Sequence, residues 1–178
     1  DEAYKMSIYL SRDKKPFPEF DYKKYLDEDF AKTLPARIRM LIKRHGIRNA
    51  VMLTIPPCGT ISMLHGVSSG IEPIFSAMYN RRYRNNNIWK EKLVVDPAFD
   101  VAPEDHIKVQ ATIQKFIDSC ISKTINLPST ATSESFSKEA LDYAPYLKGL
   151  TVYKAGAKEG EPLAAIELTQ ENIDKYMV

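Results

Sequence analysis

Three times along this chain, a segment with helical periodicity runs straight into a short apolar one: residues 35–55, 104–126 and 135–154. That alternation predicts an α/β architecture with parallel strands. In the first unit, "PARIRMLIKRHG" carries Pro35 at the first turn, Ile38, Leu41 and Ile42 on one face, basic residues in the last turn and Gly46 as a C′ residue. "NAVMLTI" follows as a strand, apolar enough to be covered on both sides. In the second, "PEDHIKVQATIQKFIDSC" places Ile107, Ala111, Ile113, Phe116, Ile117 and Cys120 along a helix, and "SKTINL" reads as a strand. In the third, "PSTATSES" is a loop and N-cap cluster, "SFSKEALDYAPYL" a helix and "GLTVYK" a strand.

The remaining segments are less regular. Residues 1–12 predict a helix with Ala3, Met6, Tyr9 and Leu10 on one face, broken by "DKKPFPEF", whose prolines cannot continue it. "DYKKYLDEDF" is an acidic and aromatic connector. "GIEPIFSAMYNRRYR" starts a helix or a turn, and "NIWKEKLVV" reads as extended. Residues 1–34 therefore form a helical lead-in, 35–158 the α/β body and 159–178 a tail with no clear pattern. Three or four parallel strands leave two sheet edges needing cover, so the body reads as a piece of something larger.

Composition excludes several function classes. Among 178 residues, Lys plus Arg is 25 and Asp plus Glu 23, a net charge of +2 that gives no reason to expect a nucleic-acid or membrane partner. No run approaches the roughly 20 apolar residues of a membrane span. Cys58 and Cys120 make neither a disulfide framework nor a zinc pattern, and reduced thiols fit a cytoplasmic protein. The chain opens on "DEAYK", acidic where a secretory signal would be basic and without an initiator Met, so its start reads as a processing or truncation boundary.

The chemistry concentrates after the first strand, in "TIPPCGTISMLHGVSSGIEP" from Thr54 to Pro73. Pro56 and Pro57 stiffen the exit and donate nothing. Gly59 lets a backbone come close. Cys58, Gly59, Thr60 and Ile61 bring N–H groups, and Thr60 and Ser62 bring hydroxyls. These are the groups a phosphate needs aimed at one point. The same residues also suit a tight strand-to-helix turn. The loop is neither a Walker A sequence nor a dinucleotide fingerprint.

"PCGTISMLHGVSSGIEP" resembles the phosphate-loop signature of ribonucleotide reductases of the adenosylcobalamin-dependent kind. "HIKVQATIQKFIDSCISKTINLP" and "LKGLTVYKAGAK" resemble two further segments of that family in the same order, and "PFPEFD" and "KRHGIRNAVMLTI" match the approach to the loop. The resemblance runs from about Pro16 to Lys158. It implies the C-terminal part of a ten-stranded α/β barrel, and reduction of ribonucleotides to 2′-deoxyribonucleotides by thiyl-radical chemistry. It also implies that Pro57, Cys58, Gly59, Thr60, Ile61 and Ser62 line the substrate's phosphates. Gly70, Ile71, Glu72 and Pro73, the "GIEP" element, are expected to shape the loop.

The sequence departs from the family at Cys58, where Thr is usual, and at Pro56, where Ala is usual. The first swap replaces a hydroxyl with a weak S–H donor and keeps the backbone N–H. The segment resembling the radical-cysteine finger is absent, so no residue here is expected to be catalytic. The resemblance then implies a fragment, a split subunit, or a chain assembling with a larger polypeptide that carries the radical site. Adenosylcobalamin belongs to the complete enzyme, with no ligands identifiable here. The alternative is a non-catalytic nucleotide-binding or regulatory module that kept the loop.

Other residues take plainer readings. Cys120 falls on an apolar helix face and reads as core. His45 reads as favourable charge at a helix end, and His106, in a first turn, as solvated. No ligand spacing links the histidines and cysteines into a metal site. Arg81, Arg82 and Arg84 read as a solvated loop, and Trp89 as a packing anchor.

Overall fold

The computed structural model describes residues 1–76, 78–83, 85–90, 97–157, 163–166 and 169–176. The chain divides into two units, Asp1–Thr54 with Lys115–Ser119, and Ile55–Gln114 with Cys120–Val178.

The first unit is helical: α1 (Glu2–Lys14), α2 (Tyr22–Asp27), α3 (Asp29–Thr33) and α4 (Ala36–His45). Its core joins Tyr4 and Ile8 of α1 to Ile38 and Ile42 of α4, with Ala31, Leu34 and Ile47 completing it. Period-3.6 spacing puts each pair on one helix face, and that apolar stripe is what the unit buries. The proline-broken segment packs as well: Phe17 and Phe20 meet edge to face with centroids 5.4 Å apart. Helix α4 ends at Gly46, with φ 73° and ψ −173°, a region essentially reserved for glycine. A Cβ there would run into the Pro16 ring.

The expected strand over "NAVMLTI" is not formed. Only Ile55 makes a bridge, a parallel one to Ile121. The cause is a carboxylate. Asp118 accepts from the N–H groups of Met52 at 2.7 Å and Leu53 at 2.6 Å, and from the Tyr4 hydroxyl. Donors that a neighbouring strand would have used go to a side chain instead.

The second unit contains α5 (Gly59–His65), β1 (Met78–Tyr83), β2 (Asn85–Lys90), α6 (Pro103–Gln114), β3 (Thr124–Leu127), α7 (Ser133–Tyr143), a 3₁₀ turn (Ala144–Tyr146), β4 (Thr151–Lys154), β5 (Leu163–Ala165) and α8 (Gln170–Tyr176). Strands β3 and β4 are parallel, with Thr124 opposite Thr151 and Asn126 opposite Tyr153. Alternation sends Ile125 and Leu127 into a core with Ile107, Phe136 and Leu147, while Thr124 and Asn126 take the other face. The parallel arrangement expected from the helix–strand alternation thus forms here as a small two-stranded sheet.

A second sheet, ordered β2–β1–β5, is antiparallel throughout. It replaces the helix or turn expected near Met78, and the backbone of Arg81 and Arg82 lies in β1 rather than in a loop. Arg84 lies outside the described residues. Helix α6 stops at Gln114, earlier than its apolar periodicity predicts. Cys120 consequently sits beyond the helix and is exposed rather than core, its Sγ 3.2 Å from the Lys148 carbonyl oxygen. Among the described residues, no helix is long and apolar enough to cross a membrane.

Candidate functional site

The sequence leaves Ile55 through two prolines, so the backbone cannot continue as a paired strand and must turn. Its base is fixed first. Ile55 donates to the Cys120 carbonyl at 3.3 Å, and Ser122 donates to the Ile55 carbonyl at 2.7 Å. Helix α5 begins two residues after Pro57, with Cys58 as its N-cap residue and no side-chain cap. It ends on Gly66, which takes the left-handed conformation. The chain then doubles back through Ser68–Pro73, where the Glu72 N–H donates to the Ser69 carbonyl at 2.9 Å.

A cavity of about 570 Å³ opens between these two loops and the β3–β4 sheet, entirely within the second unit. That volume is in the range of small-molecule sites. Pro57, Gly59 and Ser62 of the first loop line it, as do Gly70, Glu72 and Pro73 of the second. Ser122, Thr124 and Asn126 supply the sheet wall, with Tyr153 beside them.

Cys58, Thr60, Ile61 and Ile71 are not among the lining residues. Ile61 is 63% exposed. Cys58 is half-buried, its Sγ 3.5 Å from the Ser69 hydroxyl, which links the two loops. Ser62 is buried and engaged: its N–H donates to the Cys58 carbonyl at 2.8 Å and its hydroxyl to the Gly59 carbonyl at 2.9 Å. The first-turn amides, ahead of the first intrahelical bond, are those the helix cannot satisfy with its own carbonyls.

Behind the cavity wall lies a buried polar cluster that the sequence reading missed. Lys123, 2% exposed, donates to Glu72 Oε2 at 2.7 Å and to His106 Nδ1 at 2.8 Å, and also to the Thr124 carbonyl. The Thr124 N–H donates to Glu72 Oε1. His106 is not solvated as expected but 1% exposed, with Nε2 2.9 Å from the Ala98 carbonyl oxygen. A carbonyl only accepts, so Nε2 carries the proton and Nδ1 accepts from Lys123. Burial, and then the neighbouring ammonium, hold the His106 pKa below its ordinary value. Burial lowers Lys123 as well, opposed by Glu72.

Glu72 therefore ties the GIEP loop to the start of β3 through both carboxylate oxygens. A buried ammonium is tolerated only when paired and hydrogen-bonded in this way. The alternation of "TINL" marks a strand with Thr124 and Asn126 on one polar face, but it gives no sign of Lys123, which has the parity of Ile125 and Leu127. His45, for its part, lies 3.0 Å from the Arg12 guanidinium, and desolvation, with the Arg12 and Arg44 charges, lowers its pKa. Among the described residues, no group of three or more His, Cys, Asp or Glu side chains could hold a metal ion.

Residues 1–96 and 86–153 match the family model for the barrel domain of ribonucleotide reductase. The chain is 26% identical to a vitamin B12-dependent ribonucleoside-diphosphate reductase of Mycobacterium tuberculosis, over 92% of this chain and 27% of that protein. It is 29% identical to the protein of the same name from Thermoplasma acidophilum, over 99% of this chain and 28% of that protein. With the ribonucleoside-diphosphate reductase subunit alpha of Bacillus subtilis the identity is 25%, over 69% of this chain and 19% of that protein. The chain spans about a quarter of the length of the B12-dependent relatives.

Proposed function

Since the chain belongs to the ribonucleotide reductase family through its barrel domain, we propose that it is one part of an enzyme reducing ribonucleotides to 2′-deoxyribonucleotides by thiyl-radical chemistry. In this reading residues 35–158 are the C-terminal part of a ten-stranded barrel, with residues 1–34 leading in and 159–178 as a tail. The radical cysteine lies outside this chain, on a larger polypeptide or on the rest of a longer one. Cys58 faces Ser69 and Cys120 faces the Lys148 carbonyl, so neither stands in the setting of a radical relay.

The observation that carries the reading is the cavity beneath the Pro57–Ser62 loop, large enough for a nucleotide, with mostly apolar walls into which Ser62, Glu72, Ser122, Thr124 and Asn126 bring polar groups. Its task is positioning. In this reading the first turn moves onto the phosphates on binding, bringing the Thr60 hydroxyl and the Ile61 amide, which do not line the cavity here, beside Gly59, and so fixes the sugar relative to the radical site. Ser62, whose hydroxyl now holds Gly59, supports the turn and turns its donor to the phosphate on binding. Gly70 to Pro73 shape the facing loop, through Glu72.

The relatives' dependence on vitamin B12 points to adenosylcobalamin in the complete enzyme, where it would supply the radical. No ligand to it is identified among the described residues, where the buried imidazole, His106, has both ring nitrogens engaged. The cofactor is therefore assigned to the remainder of the enzyme.

The test is reconstitution. Mixed with the larger polypeptide, adenosylcobalamin, a reductant and ribonucleotide, this chain should yield deoxynucleotide, and alone it should yield none. Thr60→Val with Ser62→Ala should weaken nucleotide binding in the mixture about a hundred-fold, the order of two lost hydrogen bonds to a charged group. Unchanged affinity would remove those hydroxyls from the phosphate site. An inactive mixture in which this chain still binds nucleotide would favour a non-catalytic binding module.

A further inference from the structure

The cavity carries a charge that a phosphate site alone does not explain. Among the described lining residues Glu72 is the only charged one, and its side chain is 21% exposed. We propose that Glu72 recognises a sugar hydroxyl of the ligand, with Lys123 and His106 as its positioning residues; this rests on the nucleotide reading above.

A carboxylate offers about four acceptor directions. Oε1 uses one for the Thr124 N–H and Oε2 one for Lys123, which leaves acceptor capacity on an accessible group. That capacity repels phosphate and attracts a donor. A nucleotide brings both kinds of group, an anion for the loop amides and hydroxyl donors for Glu72.

Lys123 cannot take the phosphate. An ammonium has three donors, and all three are engaged, on Glu72, His106 and the Thr124 carbonyl. Its role is to hold Glu72 in orientation. His106, donating to Ala98 through Nε2, offers Nδ1 as an acceptor and so aims the ammonium. The cluster is buried beneath a cavity wall, where rotation of either group would leave a polar atom without a partner.

The experiment titrates the full chain with three probes: uridine diphosphate, its 2′,3′-dideoxy analogue and inorganic diphosphate. The native chain should bind uridine diphosphate about ten-fold more tightly than the dideoxy form, the worth of one hydrogen bond to a charged acceptor. In Glu72→Gln that ratio should fall to about two-fold or less. His106→Gln keeps an acceptor for Lys123 and should largely retain it. A role confined to folding would move both nucleotide affinities together and leave the ratio intact. Equal binding of the two nucleotides by the native chain, or an undiminished ratio in Glu72→Gln, overturns the assignment while diphosphate binding leaves the phosphate loop standing. If the native chain binds none of the three, the phosphate reading fails and this inference with it.

Discussion

Single residues decide more of this molecule than their chemistry suggests in isolation. Gly46 follows a helix, which was legible because glycine commonly closes a helix end. What the sequence did not reveal is that the Pro16 ring stands where a Cβ would go. Gly46→Ala should therefore destabilise the chain by about 1–3 kcal/mol, read as a lower urea midpoint; an unchanged midpoint would mean that the turn relaxes. His106 shows the opposite limit. A histidine in a first helical turn reads as solvated because burial depends on what folds over it, and Lys123 and Glu72 come from 17 and 34 positions away. Its pKa is lowered in the fold, with Lys123, Glu72 and Asp105 as the charged groups acting on it. Below the ordinary value near 6.5 the unfolded chain binds a proton there that the folded chain resists, so stability is fully present above that pH and falls below it. His106→Gln should flatten the fall in urea midpoint between about pH 7 and pH 5. An unaltered slope would place the pH dependence elsewhere.

At the scale of elements, helices were legible where caps and periodicity agreed. Thr132 is the N-cap of α7 and forms a reciprocal box with Ser135, as the "PSTATSES" cluster predicts. Thr132→Ala should cost about 1 kcal/mol, seen as earlier fraying of α7 in hydrogen exchange, while Thr132→Ser should cost little. Strands were legible only in part. "TINL" and "TVYK" pair because each finds the other in parallel register. "NAVMLTI" has the same apolar character but gives its amides to Asp118, a residue 66 and 65 positions away from Met52 and Leu53. Apolar character states that a segment is to be covered and does not name the partner of its backbone. The candidate site shows the same division. Gly59 and Glu72 could be marked from loop composition, whereas the Thr124 and Asn126 wall needed the strand's facing to be known.

For the molecule as a whole, the contacts draw the first 54 residues together with 115–119. The reason is visible in two interactions that periodicity cannot encode: Tyr4 bonds Asp118, and Ser119 donates to the Leu53 carbonyl at 3.0 Å. Among the described residues, the first unit's core cluster has seven buried members and the cluster around β3 three, so the two should differ in how they respond to a core cavity. Ile42, fully buried in the first, is the sharpest probe. Ile42→Ala should remove about 2–5 kcal/mol from the element that holds it. If stability is distributed by unit, hydrogen exchange will show α1 and α4 losing most of their protection while β3 and β4 keep theirs. An equal loss in all four would instead establish that the chain unfolds as one cooperative body, and the buried Lys123–Glu72 pair, held in the second unit, would then depend on a core to which it contributes no atom.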